Sequence, residues 1–211
     1  MHRVVAFTFD DGPDPYWTRR VLDVLDRHRA AATFFVVAEA VRSLPEVVEE
    51  TTRRGHTIGF HCTRHIAHTD MAPGEVDEDA EHGLEILARL GIRPTLWRPP
   101  WGMVTSETLD VAERLGLDLV DWSIDPEDWK GDPAEVMEIR SGLRQIAGGV
   151  LLLHDGIGPG ALRSGCGQTV RLVDRLIPIL RERGVEPGPV AAAGGEPPAW
   201  LELPPEPEEV V

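Results

Sequence analysis

Short apolar runs alternate with amphipathic stretches from the first residues of the chain to about residue 186. Val4 to Phe9 is apolar and rich in β-formers, and it ends on the turn signal Asp-Gly-Pro, which predicts a strand. From Thr18 to Arg29 the apolar positions Val21, Leu22, Val24 and Leu25 recur at helical spacing. Ala32 to Val37 is continuously apolar, as expected of a strand covered on both faces. Pro45 opens a predicted helix that runs through Arg54, and Gly55 closes it. The same alternation predicts strands at Thr57 to Phe60, Thr95 to Trp97, Leu117 to Trp122 and Val150 to Leu153. Helices are predicted at Gly74 to Leu90, Ser106 to Leu115, Pro133 to Ile146 and Gln168 to Arg183, the last bent at Pro178. Six to seven such βα units imply a parallel sheet covered by helices. Periodicity fits a barrel and a doubly wound sheet equally.

From Pro187 onward the pattern stops. Seven of the 18 prolines fall there, with Ala and Gly runs and five glutamates but no basic residue, a composition that predicts irregular chain. Residues 1–186 are therefore read as one domain and 187–211 as a tail, with Trp200 a candidate for docking on the core. At 211 residues the chain is long enough for one well-buried domain. Its net charge of −15 argues against a nucleic-acid partner, since that affinity rests on Lys and Arg neutralising phosphates. No run reaches the ~18 apolar residues of a membrane span. Strand-like sequence begins at once, leaving no signal peptide, so the expected location is the cytoplasm for a complete chain and outside the cell for one trimmed of a leader. Cys62 and Cys166 form no CxxC pair, and nothing demands a bridge between them. The oligomeric state is left open.

The polar clusters change the picture, because nearly all of them lie where an apolar strand ends: Asp10-Asp11, His61 to His65, Arg98, Asp125 to Asp128, and His154. In parallel α/β folds the carboxyl ends of the strands form the site-bearing face. Adjacent carboxylates at Asp10 and Asp11 repel and are costly to bury without a cation nearby. On its own, Asp-Asp-Gly-Pro also fits a solvated turn. His61 and His65 are spaced to share one face of a helical turn, with Cβ atoms about 5–6 Å apart, within reach of one ion at about 2.1 Å from each nitrogen. A pair of surface histidines has the same spacing. With Asp11 they make a two-His, one-carboxylate set that leaves coordination positions open. His68 reads as a loop residue and Cys62 as pointing away.

In Arg98-Pro99-Pro100-Trp101-Gly102 the prolines fix the loop and leave the N–H groups of Trp101 and Gly102 as candidate oxyanion donors. Arg98 can hold a catalytic carboxylate or pair with surface acids. Trp129 has the character of a sugar-stacking wall, whereas Trp122, on a predicted strand, reads as core. A lone histidine such as His154 is commonly structural, but beside the other clusters it is the natural general acid.

Thr-Phe-Asp-Asp-Gly-Pro (8–13), His-x-x-x-His (61–65), Arg-Pro-Pro-Trp-Gly (98–102), Asp-x-x-Asp-Trp (125–129) and Leu-Leu-His (152–154) together resemble the polysaccharide deacetylases, carbohydrate esterase family 4 with its NodB-homology domain. The resemblance spans about residues 3 to 186. It implies a distorted (β/α) barrel, usually seven-stranded, and a hydrolase that removes acetyl groups from N-acetylated sugars of chitin or peptidoglycan type. Carried over by residue, Asp10 is the general base, Asp11, His61 and His65 hold a divalent ion (zinc first among the transition metals such a set accepts), and Arg98 orients Asp10. Trp101 supplies an oxyanion N–H, Asp125 supports His154 as the acid, and Trp129, Pro99 and Gly102 line the substrate groove with Trp101. Phe60, Cys62 and Trp101 depart from the usual residues at their positions and bear on the shape of the groove.

Other readings stay open at this level. An intracellular amidase acting on a small acetylated amino sugar uses the same residues, and a non-catalytic sugar-binding domain keeps the same fold. A phosphatase with Asp10 as nucleophile would need its acids one residue apart and would leave the histidines idle.

Overall fold

The computed structural model describes residues 3–142 and 148–190. The first strand, β1 (Arg3–Asp10), is buried at every position from Val5 onward, because sheet neighbours and helices leave neither of its faces to water. Its one uncharged polar residue, Thr8, satisfies its hydroxyl by donating to the Leu151 carbonyl at 2.7 Å. Helix α1 (Trp17–His28) buries the predicted stripe of Val21, Leu22, Val24 and Leu25. It stops at Arg29, which turns left-handed. Strand β2 (Thr33–Val37) runs directly into a short helix, α2 (Ala38–Ser43), which periodicity did not reveal. Six residues are too few to show a period. Leu44 leaves helical geometry at φ −136° because Pro45 follows, and α3 (Pro45–Arg53) begins there.

The remaining elements follow the alternation: β3 (Thr57–Cys62), α4 (Glu75–Arg89), β4 (Leu96–Trp97), α5 (Ser106–Leu115), β5 (Asp118–Leu119), α6 (Ala134–Ser141), β6 (Gly149–His154), α7 (Gly167–Arg181) and β7 (Val185–Gly188). α7 continues past Pro178 to Arg181. The predicted helical residues 143–146 and Trp200 lie outside the described residues.

All strand pairs are parallel, in the order β5-β4-β3-β2-β1-β6. Beyond β5 the chain meets the far edge at a parallel bridge between Ile124 and Leu151, so the sheet curls back on itself as a distorted barrel. β5 is shorter than the predicted 117–122 because the backbone leaves β4 after Val120, whose N–H still donates to the Trp97 carbonyl, and reaches β6 at Ser123. β7 corrects the predicted domain limit: Pro187 and Gly188 are strand residues, paired with Val5 and Ala6. A proline lacks the N–H a central strand needs, yet the half of β1 left uncovered by β2 accepts it.

Candidate metal centre and acid–base site

The carboxyl ends of β1, β3, β4 and β6 converge on one cavity of about 380 Å³. Asp10 and His154 sit side by side on neighbouring strands, in register at the ends of β1 and β6. Asp10 is the last residue of β1, and Asp11 turns left-handed with φ 72°. That turn lets two adjacent carboxylates face one space, which a continuing strand would forbid. Gly156 and Gly158 pack onto the turn. A Cβ at position 156 would overlap the Asp11 backbone, and one at 158 its carboxylate.

His65 Nε2 lies 3.1 Å and His61 Nε2 3.6 Å from Asp11 Oδ1, and the ligand atoms of the three residues lie within 4.8 Å of one another. The expected helical turn is not what brings the imidazoles together. His61 is the penultimate residue of β3 and His65 belongs to the loop after it, and their ring centroids are 5.0 Å apart. His61 Nδ1 donates to the Arg98 carbonyl at 2.6 Å, which fixes the tautomer and aims the Nε2 lone pair at Asp11. Asp11 Oδ1 is buried without a hydrogen-bond partner. Burial opposes its ionisation, but His61, His65 and the charge of His154 hold the carboxyl well below the usual carboxylate range. An ionised oxygen with no donor and two inward-facing imidazole nitrogens fit a divalent cation. Cys62 is a buried free thiol outside this group. His68 is also outside it. It is buried against Thr108 Oγ1 at 2.8 Å, and burial pushes its imidazole down to about 4.

Arg98 is wholly buried. Its Nη1 donates to Asp10 Oδ1 at 2.9 Å and to Thr8 Oγ1 at 2.7 Å, and its Nε to the Val120 carbonyl at 3.1 Å. The guanidinium carbon lies 4.3 Å from the centre of the Phe35 ring and 5.7 Å from that of Trp122. One Asp10 oxygen is thereby pinned and the other is left to the cavity.

In the following turn Trp101 adopts φ 53° and is 48% exposed, its ring set edge-on to His65 at 4.3 Å. Gly102 N–H donates to the Pro99 carbonyl at 3.0 Å and Met103 N–H to that of Pro100 at 3.1 Å. The Gly102 N–H is therefore spent inside the turn, and only the Trp101 N–H stays outside these bonds. Pro99 is buried and, like Gly102, does not line the cavity. These two residues shape the turn that presents Trp101 instead of touching a ligand.

On the opposite side the support for His154 comes from Asp128, not Asp125. His154 Nδ1 donates to Asp128 Oδ1 at 2.6 Å and its backbone N–H to Asp128 Oδ2 at 3.0 Å. Asp125 Oδ1 instead accepts the Glu127 N–H at 2.6 Å, and its side chain lines the cavity. Burial alone would lower the His154 pKa, but Asp128, then Asp11 and Asp10, carry it up to about 9.

Trp101, Trp122 and Trp129 wall the cavity, with the Gly158 to Ala161 segment at its rim. The assignment of Trp122 to the core is thus corrected, because β5 ends before it and the ring turns to the cavity. Several participants carried no pattern that sequence reasoning used. Thr18 on α1 donates to Asp155 Oδ2 at 2.5 Å. Burial, only partly offset by that bond, pushes the Asp155 carboxyl up to about 7. Arg163 and Thr169 both reach Asp128.

Residues 1–120 match the family model described as polysaccharide deacetylase. A chitooligosaccharide deacetylase from a Bradyrhizobium species is 37% identical over 202 residues, covering 89% of each chain. A peptidoglycan-N-acetylglucosamine deacetylase from Bacillus cereus is 33% identical over 184 residues, covering 86% of this chain and 84% of its own. The crystal structure of a peptidoglycan N-acetylglucosamine deacetylase bound to an N-hydroxybenzamide superposes with a TM-score of 0.82 at 33% identity, covering 90% of this chain and 86% of that one. Motifs, curled parallel sheet and relatives agree, and the chain belongs to the polysaccharide deacetylase family.

Proposed function

We propose that this protein removes the acetyl group from N-acetylglucosamine units, releasing acetate and a free amine. The observation that carries the reading is the placement of Asp10 and His154 in register on adjacent strands, with the Asp11, His61 and His65 group beside them. N-acetylglucosamine is the unit common to the chitooligosaccharide and peptidoglycan substrates named for the relatives, and the indole walls suit a sugar ring.

Asp11, His61 and His65 would hold the divalent ion, with zinc the metal proposed. When bound, such an ion supplies Lewis-acid polarisation of the acetyl carbonyl and makes water easier to deprotonate. Asp10, held by Arg98 through one oxygen, takes the proton of the attacking water with the other. The Trp101 N–H donates to the oxygen that gains negative charge as the carbonyl carbon becomes tetrahedral. His154, whose charged form Asp128, Asp11 and Asp10 favour against the burial that opposes it, gives its Nε2 proton to the sugar nitrogen as the C–N bond breaks. Acetic acid and the neutral amine leave, the acid loses its proton to water, and exchange with solvent deprotonates Asp10 and reprotonates His154 for the next turnover. Amines depart poorly unprotonated, which is why the acid matters.

The test is acetate release from N-acetylglucosamine, chitin oligomers and peptidoglycan fragments by zinc-supplemented protein, with Asp10→Asn as control. Acetate from the wild type that vanishes with the variant is expected. No acetate from any of the three would remove the reading.

A further inference from the structure

Arg163 lies in the glycine-rich segment between β6 and α7, with its side chain only 4% exposed. It does not line the catalytic cavity, yet every bond of its terminal nitrogens serves the acid side of that cavity. Nη1 donates to Asp128 Oδ2 at 3.1 Å and to the Asp128 carbonyl at 3.2 Å, and it also contacts Thr169 Oγ1. Nη2 donates to the carbonyls of His154 at 3.1 Å and Gly156 at 3.2 Å. Thr169 Oγ1 in turn donates to Asp128 Oδ2 at 2.6 Å. A hydroxyl gives one proton and accepts others, so the bonds run from Arg163 through Thr169 to Asp128. With the His154 backbone N–H at 3.0 Å, Asp128 Oδ2 has three donors. Oδ1 is left for His154 Nδ1 alone.

Burying a guanidinium is costly unless it is paired; Arg163 leaves its buried Nε without a partner, and the anion it pairs with is already shared with the His154 ring. Two cations therefore stand on one carboxylate. Asp128 held His154 by itself would bind the imidazolium proton more tightly, and an acid whose proton is held too tightly transfers it slowly. The fork of Arg163 is also the link that ties Asp128 to the backbone at His154 and just beyond it, at Gly156, something a single-point cation cannot do.

We propose that Arg163 is a positioning residue for the acid: it fixes Asp128 and the carbonyls of residues 154 and 156 so that His154 Nε2 meets the departing amine, and it shares the charge of Asp128. The proposal rests on the deacetylase reading for its rate effect, but the state of the His154 ring can be measured without turnover. The charged groups facing that ring are Asp10 on β1, Asp11 in the turn, Asp125 and Asp128 on the segment before α6, and Arg163 behind Asp128. Asp155, next in the chain, is turned to Thr18.

The experiment uses the full chain with zinc and the variants Arg163→Met and Arg163→Lys. It reads kcat, KM, the alkaline limb of the pH–rate profile, and the titration of His154 by NMR of 15N-histidine-labelled protein. For Arg163→Met, kcat should fall about 10- to 100-fold, less than the ~10²- to 10⁴-fold lost with a general acid itself. KM should stay within about two-fold, and both the limb and the His154 titration should move to higher pH because a repelling cation has gone. Arg163→Lys should return the titration toward the wild-type value while recovering only part of kcat, since charge is restored without the fork. A folded Arg163→Met protein whose His154 titrates as in the wild type overturns the proposal. If that variant does not fold, Arg163→Lys with undiminished kcat overturns it. A wild type that releases no acetate refutes the deacetylase reading instead, and the NMR arm still decides the position of Arg163.

Discussion

Asparagine at position 128 separates the two acids of the Asp-x-x-Asp-Trp motif more sharply than any other change. In the structure three donors converge on Asp128 Oδ2: the His154 N–H, Thr169 and Arg163. In Asp128→Asn the amide oxygen must take that place, because an NH₂ group there would face donors only. The NH₂ then stands where Oδ1 was, pointing at His154 Nδ1. An imidazolium carries a proton on that nitrogen, so the charged ring loses its acceptor and meets a donor. Asp128 is the largest of the attractions that lift His154 from 6.5 to about 9, a span of roughly 3 kcal/mol at 1.36 kcal/mol per unit. Without it only Asp11 and Asp10 oppose the burial that disfavours charging, and the pKa of the ring falls. At pH 7 the acid would then be mostly neutral, and kcat is expected to drop about 10²- to 10⁴-fold. The assay is acetate release across pH 5 to 10, with bound zinc measured on the same samples to show that the metal site survives. A cation at Asp11 cancels one of the charges that raise His154, so the wild-type alkaline limb should lie somewhat below 9, and that of the variant lower still. Asp125→Asn, which leaves the Asp128 bonds in place, should change kcat by less than about five-fold. If Asp125→Asn were the crippled variant and Asp128→Asn stayed within about three-fold of wild type, the acid-side assignment would be wrong.

Three further outcomes follow from the geometry. Asp11→Asn removes the only ionised oxygen of the ligand set, so zinc affinity measured by competition with a chromophoric chelator should fall by more than the ~10–100-fold typical of losing a partner behind a ligand; unchanged affinity would place the ion elsewhere. Gly158→Ala puts a methyl group into the Asp11 carboxylate, an overpacking of about 1–3 kcal/mol, and calorimetry should show Tm lower by several degrees together with weaker zinc binding. In metal-free protein His154 has its pKa raised on folding, so its stabilisation is complete below about 6.5 and is lost as pH rises through about 9. Asp155, raised from 3.8 to about 7, likewise favours the folded state less as pH climbs between those values. Denaturant midpoints in a chelating buffer should therefore decline from pH 5 to 9, and a midpoint rising over that range would contradict both assignments.

Sequence patterning made the sheet legible because a strand buried on both faces has no way to disguise itself: β1 and β2 are apolar runs whatever the tertiary context. Apart from α2, too short to show a period, what it missed was decided by partners distant in the chain. β7 contains Pro187, and only the uncovered half of β1 makes a strand of it. The candidate metal ligands were legible because Asp11 and His65 closely follow a strand and His61 lies one residue short of a strand's end, and the topology puts all strand ends at one rim. The choice between Asp125 and Asp128 was not, since both are acids near His154 and only the turn that gives Asp125 to the Glu127 N–H separates them. Arg163 was invisible for a related reason. Its partners are carbonyls and a carboxylate brought together by folding, and its own neighbours in sequence are glycine, serine and leucine. Residues that face the chemistry leave a trace in the motif, because the reaction dictates their type. Residues that hold those groups in place answer only to the fold, and for them geometry is the first level at which an argument can begin.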